Sequence, residues 1–118
     1  MLFRALTLAA FLSGAFPAMA DAVVHAVVNI DLMPQDQASG TKLLTAYVRE
    51  LRRDPVVEAV TLVRQAGSTN HFILIETFAT RAAYDRHGEA DYVRSFRSAL
   101  HPYLGSPWDE RLGDDITR

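Results

Sequence analysis

The spacing of apolar residues changes several times along the chain, and each change marks an element. From Ala22 to Met33, residues Val23, Val24, Val27, Val28, Ile30 and Leu32 fall on both sides of a period-two pattern. Such a run predicts a strand buried on both faces, ended by Pro34. The period then lengthens. Leu43, Leu44, Tyr47, Val48 and Leu51 share one face of a helix. Asp36 or Ser39 is placed to cap its start, and Asp54-Pro55 stops it. Arg49, Arg52 and Arg53 suit the negative end of its dipole. Alternation returns from Val56 to Gln65, with Val56, Val60 and Leu62 on one face and Val57, Ala59 and Val63 on the other. A turn over Ala66 to Asn70 leads to a third apolar strand, His71 to Phe78, so these two strands form a hairpin.

Thr80 is an expected N-cap for a short helix through His87, which Gly88 ends. The next helix runs from about Ala90 to Leu100, with Val93, Phe96 and Leu100 on its buried stripe. His101-Pro102 stops it, and an edge strand is expected after Trp108, to about Gly113. The order β-α-β-β-α-α-β is a split βαβ. It predicts an α+β, ferredoxin-like fold with helices over one face of a four-stranded antiparallel sheet. The first three strands are apolar on both faces, so the other face also wants cover. A second copy of the same sheet is the simplest cover, giving a two-fold homodimer.

The first twenty residues stand apart from this pattern. Arg4 precedes an apolar stretch from Ala5 to Phe16, and Pro17-Ala18-Met19-Ala20 puts small residues at −3 and −1 of a cleavage before Asp21. This is the layout of a secretory signal peptide, too short for a comfortable membrane span. The expected division is a signal peptide over 1–20 and one domain over 21–118, periplasmic or secreted. Removing the leader takes Arg4 with it, so the net charge falls from −2 to −3. A mildly acidic domain without a basic run is a poor nucleic-acid binder, and no further stretch predicts a membrane span. The chain has no cysteine, which excludes disulfides, thiolate metal sites and a cysteine nucleophile.

No HExxH, P-loop, GxSxG or dinucleotide fingerprint is present, so any activity must reside in a pocket between sheet and helices. Glu76 alternates with Phe72, Leu74 and Phe78 on an apolar face, where a carboxylate needs a partner. Its functional reading is a pocket acid or the orienter of a histidine. Its structural reading is an ion pair with a cation such as Arg64 on the neighbouring strand. His87 sits one turn after Ala83 and Tyr84, where its ring can face the sheet, and imidazole is the natural base for a phenol near neutral pH. The alternative is a histidine serving the helix C-terminus. Tyr47, Tyr84, Tyr92, Phe96, Tyr103 and Trp108 either line an aromatic-binding cavity or fill the core. His25 and Asn29 share a face of the first strand and point to a dimer-facing network or a pocket wall. Asn70 and His71, at a hairpin tip, are expected to be solvated. Asp85, His87 and Glu89 diverge around a helix and do not form a metal site.

The run from His71 to His87, HFILIETFATRAAYDRH, followed by Tyr92 and Phe96, resembles the antibiotic biosynthesis monooxygenase domain family. Glu76, Phe78, Ala83, His87 and Phe96 fit the family pattern in order, and the resemblance covers roughly residues 22–113. It implies a dimeric α+β barrel and an oxygenase without prosthetic group or metal, using O2 as co-substrate on a quinol, anthrone or related polycyclic phenol. His87 and Glu76 would then be the catalytic pair, with Tyr84, Tyr92, Phe96, Trp108 and Asn29 around a small aromatic substrate. Quinol-oxidising relatives often carry a second histidine where this chain has Tyr92, and a leucine where it has Gly88. Haem-degrading relatives of the same fold carry an asparagine like Asn29, but His87 and Arg97 stand where their tryptophan and haem-ligating histidine would be. The alternative function is a non-catalytic periplasmic barrel that binds a small molecule. A structural or regulatory dimer with a filled pocket is the third.

Overall fold

The computed structural model describes residues 22–118, so the expected leader over 1–20 lies outside the described residues. Four strands, three helices and two short 3-10 turns follow in the order β1 (Val24–Asp31), α1 (Gln37–Arg53), β2 (Ala59–Arg64), β3 (His71–Phe78), α2 (Arg81–Gly88), α3 (Asp91–Leu100) and β4 (Asp109–Asp114). The strands form one antiparallel sheet in the order β2-β3-β1-β4, the ferredoxin-like arrangement.

Register explains how β1 is used. Val24, Ala26, Val28 and Ile30 are all 2% exposed or less and face the helices. His25, Val27, Asn29 and Asp31 face the other way, half-buried or exposed. Only one face of the sheet is therefore covered within a protomer. Within one protomer β1 is buried on one side, and its other side, with Val27, is left for a second copy to cover. On the open face Val27 pairs with Ile75, Asn29 with Ile73, and Ile73 with Val63, so an apolar strip crosses three strands. His25 and Thr77 close it at one end, and Asp31 and His71 at the other. Among the described residues no helix is long and apolar enough to cross a membrane.

α1 buries Leu44, Tyr47, Val48 and Leu51, and α3 buries Val93, Phe96 and Leu100, both at helical spacing. With Val28, Ile30, Leu32, Phe72 and Leu74 they make the larger core. Gly40 lets α1 approach the end of β1, because a Cβ there would lie 2.6 Å from Leu32 Cδ1. The helix follows a 3-10 turn over Pro34–Asp36. Asp36 occupies the N-cap without a side-chain bond, so neither expected capping side chain caps it. β2 begins at Ala59, three residues later than its apolar pattern suggests. Val56 and Val57 lie in the preceding turn and pack against the core from there. A smaller core, Val24, Ala26, Phe78 and Ala83, underlies α2.

The hairpin turns through Gly67, whose φ of +80° suits a residue without a side chain. Its tip is tied down rather than simply solvated. Asn70 Nδ2 donates to the Leu32 carbonyl at 2.7 Å, and His71 Nε2 lies 2.9 Å from Asp31 Oδ1.

Thr80 starts α2 as an N-cap, its hydroxyl accepting the Ala83 N–H at 3.1 Å. Thr80→Ala is expected to cost about 1 kcal/mol. For a domain of this size that lowers the thermal midpoint by roughly 4–8 °C. An unchanged midpoint in calorimetry would show that packing alone fixes α2.

Candidate active site

Glu76 enters the site because β3 is central and its alternation sends every second side chain toward the helices. It stands opposite Ala26, and that small side chain leaves room above the sheet. The carboxylate is 4% exposed. α2 supplies His87 from its last turn, one helical turn beyond buried Ala83. Phe78 supports the imidazole, with ring centroids 5.0 Å apart. His87 is 5% exposed.

His87 Nε2 lies 3.3 Å from Glu76 Oε2 and 3.4 Å from the Tyr47 hydroxyl. The contact to Glu76 is an ion-pairing distance without hydrogen-bond alignment, so Glu76 Oε2 keeps no hydrogen-bond partner. Arg64, the structural partner considered for Glu76, instead places its guanidinium 5.4 Å from the centre of the Phe72 ring. Glu76 therefore meets the histidine and not an arginine. Burial, and then the nearby Glu76 carboxylate, push the Tyr47 hydroxyl well above its usual range. Tyr47 thus remains a proton donor throughout the neutral range.

These three groups form the floor of an open cavity of about 780 Å³, walled by α2, α3 and β4. At its rim Glu110 collects two donors, the Tyr84 hydroxyl and Trp108 Nε1, the latter at 3.0 Å. Burial, and then the bond to Glu110, raise the Tyr84 hydroxyl to about 12, so it too stays protonated. Arg97 lies over the Trp108 ring, 3.8 Å from its centre. The cavity thus combines a buried histidine and carboxylate, a fixed phenol donor and an aromatic wall, in a volume suited to a small multi-ring molecule.

Not every residue grouped by the sequence meets here. Glu76, His87, Tyr47, Tyr84 and Trp108 do. Phe96 lies behind the cavity, stacked on Tyr47 with centroids 3.7 Å apart and planes within 1°. It acts as backing for Tyr47 and not as lining. Tyr92 turns to α1, its hydroxyl donating to Asp54 Oδ2 at 2.6 Å. Asn29 corrects the expectation of a pocket residue. It is exposed on the open sheet face, because its register sends its side chain away from the helices. Asp85 pairs with Arg81 at 3.3 Å along α2. Among the described residues no group of three histidines or carboxylates could hold a metal ion.

One residue of this site, Glu110, was not singled out from the sequence. Glu110 alternates with Trp108, just before β4, and with Leu112 on it, opposite Val28, and that period-two pattern carries the signal. Tyr47 stood among the aromatics read as cavity lining or core, with nothing local to mark its hydroxyl.

The family model for antibiotic biosynthesis monooxygenase matches residues 23–99. Among solved structures, the chain is similar to SnoaB, a cofactor-independent oxygenase from Streptomyces nogalater, at 15% identity over 82% of this chain and 96% of that one, with a TM-score of 0.72. It is also similar to Rv0793 from Mycobacterium tuberculosis, at 18% identity over 82% and 98%, with a TM-score of 0.76. PA3566 from Pseudomonas aeruginosa is comparable, at 16% identity over 83% and 98%, with a TM-score of 0.74. At these identities the likeness is one of fold. No curated protein matches the chain.

Proposed function

The chain belongs to the antibiotic biosynthesis monooxygenase family, and from that premise we propose that it is a cofactor-independent monooxygenase of a quinol, anthrone or related polycyclic phenol. The observation that carries the reading is the buried His87, held between Glu76 and Tyr47 at the floor of an open cavity. In this chemistry the imidazole takes a proton from a substrate hydroxyl. The resulting electron-rich anion passes electrons to O2, and a carbon–oxygen bond forms. The O–O bond then breaks as a carbonyl forms at that carbon, and one oxygen atom leaves as water. The substrate loses two hydrogens, gains one oxygen and supplies all four electrons, so no external reductant enters. The protein's part is to hold the ring, stabilise the anion and move one proton.

Tyr47 suits the second task, because a phenol kept protonated donates a hydrogen bond to the oxygen where charge develops. Trp108 and Tyr84 supply flat apolar surface for the rings, and Glu110 fixes both. A second copy of the chain, packed on the strip of Val27, Ile73 and Ile75, completes the assembly as a homodimer. The same reading puts the enzyme outside the cytoplasm after cleavage following Ala20, where a reaction that needs no nucleotide can run.

The test is oxygen uptake by protein purified from the periplasm, its N-terminus read by mass spectrometry. The panel is hydroquinones and anthrones, with chelator present and no nucleotide. Uptake above autoxidation, saturating with substrate, is expected. A folded protein that binds these compounds and consumes no oxygen would instead be a binding barrel.

A further inference from the structure

The proposed chemistry uses the Nε2 side of His87 and leaves the other nitrogen unexplained. Nδ1 is buried and has no hydrogen-bond partner. A buried ring nitrogen in that condition costs free energy unless it acquires a partner at some stage. The carboxylate within ion-pairing range is Asp54, whose Oδ2 lies 4.0 Å away. Asp54 belongs to no wall of the cavity. It borders a separate surface dimple of about 380 Å³ with Glu50, Arg53 and Tyr92.

Asp54 is held in place more firmly than its position requires. As C-cap of α1 it needs only its backbone N–H, which bonds to the Leu51 carbonyl. Its Oδ1 accepts the Val56 N–H at 2.9 Å, which shapes the turn into β2. Oδ2 has no part in either task. It accepts the Tyr92 hydroxyl at 2.6 Å and faces His87. Burial, and then the bond to Asp54, push that hydroxyl well above its usual range, so it stays a donor. The titratable groups around the imidazole are thus Glu76 from β3, Tyr47 and Asp54 from α1 and its end, and Tyr92 from α3, while Phe78 adds an apolar face.

We infer that Asp54 is a positioning residue that acts through His87. It keeps the ring proton on Nδ1, leaves the Nε2 lone pair toward the cavity, and stabilises the imidazolium formed when Nε2 accepts the substrate's proton. A distance of 4.0 Å is longer than a hydrogen bond, so in the resting protein the link is electrostatic. It tightens when the ring becomes charged, as catalytic contacts commonly do. At that stage the imidazolium has one carboxylate on each nitrogen, Glu76 at Nε2 and Asp54 at Nδ1. The proton is held while the anion reacts with O2 and is returned to the departing water, so protons balance over the cycle. The carboxylate of a Ser-His-Asp triad plays the corresponding role through a direct hydrogen bond to Nδ1–H, the contact that the 4.0 Å pair here would form on tightening.

The kinetic consequence rests on the oxygenase reading, and the tautomer does not, so the test has two arms. Nitrogen-15 NMR of the purified protein reports which ring nitrogen of His87 carries the proton, without any substrate. The Nδ1–H form is expected in the wild type, with a shift toward Nε2–H in Asp54→Asn and a weaker one in Tyr92→Phe. Asparagine keeps an Oδ1 acceptor for Val56, so the turn survives. Should Asp54→Asn fail to fold, Tyr92→Phe carries the test. In the assay Asp54→Asn is expected to lower kcat roughly tenfold with KM within about twofold, because Asp54 does not touch the cavity. The acidic limb of its pH profile should move to lower pH, since a lost anion disfavours the imidazolium. If the wild type oxidises none of the panel, the oxygenase reading fails and the NMR arm alone decides on Asp54. An unchanged tautomer in both variants, or unchanged kcat and pH profile in a folded Asp54→Asn protein, overturns the inference.

Discussion

His87→Ala is expected to lower turnover about a hundredfold or more, the usual contribution of a general base placed in hydrogen-bond reach. The effect should fall on kcat and kcat/KM together, because the base we propose acts in the transition state and adds little to ground-state binding. Stability complicates the reading of that variant. Removing the ring leaves Glu76 buried at 4% exposure beside Phe78, without the group that faces it. A carboxylate deprived of its partner in the interior costs several kcal/mol, although here the open cavity admits water and reduces that cost. His87→Gln separates the two effects. Glutamine can offer Glu76 an N–H, as the imidazolium does at Nε2, but cannot take a proton near neutral pH. Oxygen uptake measured beside thermal unfolding should show the same loss of turnover in both variants, with the smaller loss of stability in glutamine. Full activity in a folded glutamine variant would remove His87 from the role of base and pass it to Glu76.

The sequence made the elements legible and only part of the site. Period-two and period-3.6 patterns carry over directly to β3, α2 and α3, because each buries its inward side chains at its own regular spacing. Burial of β1 was harder to read. Val23 and Val27 look like core residues in sequence, but local composition does not say whether a face meets a helix, solvent or another chain. Asn29 fails as a pocket wall and stands on the outward face, its other reading, because side-chain parity depends on which residue of the strand first faces inward. Glu76 and His87 were visible because a carboxylate in an apolar strand and a histidine one turn beyond a buried alanine both break a pattern. Asp54 broke none. It reads as an ordinary helix stop, and its relation to His87 exists only once α1 and α2 are packed on the same sheet.

The open sheet face leads to the second large effect. Ile75→Asp is expected to convert the homodimer we propose into a folded monomer. Ile75 lies on β3 between the buried Leu74 and Glu76, and pairs with Val27 near the middle of the uncovered face. Ile73 follows on the same face and pairs with Val63, which is 39% exposed. Apolar side chains on three adjacent strands, interrupted by Asn29 and bounded by polar pairs at both ends, have the layout of an isologous interface. A two-fold axis through it brings each substitution in twice, so two unpaired carboxylates would be desolvated at the centre of the contact. Burying an uncompensated charge costs about 3–5 kcal/mol, and about 1.4 kcal/mol is a tenfold change in affinity. Dimer affinity should therefore fall by at least about a hundredfold in sedimentation equilibrium. The side chain projects away from the helices, so far-ultraviolet circular dichroism should keep its wild-type shape. A wild-type protein that sediments as a monomer at tens of micromolar would refute the interface, and a variant that remains dimeric would move it to another face. The cavity floor lies on the opposite side of the sheet, built within one protomer from β3, α1 and α2. A monomeric Ile75→Asp protein that still consumes oxygen would show that the second copy stabilises the sheet and supplies no part of the chemistry.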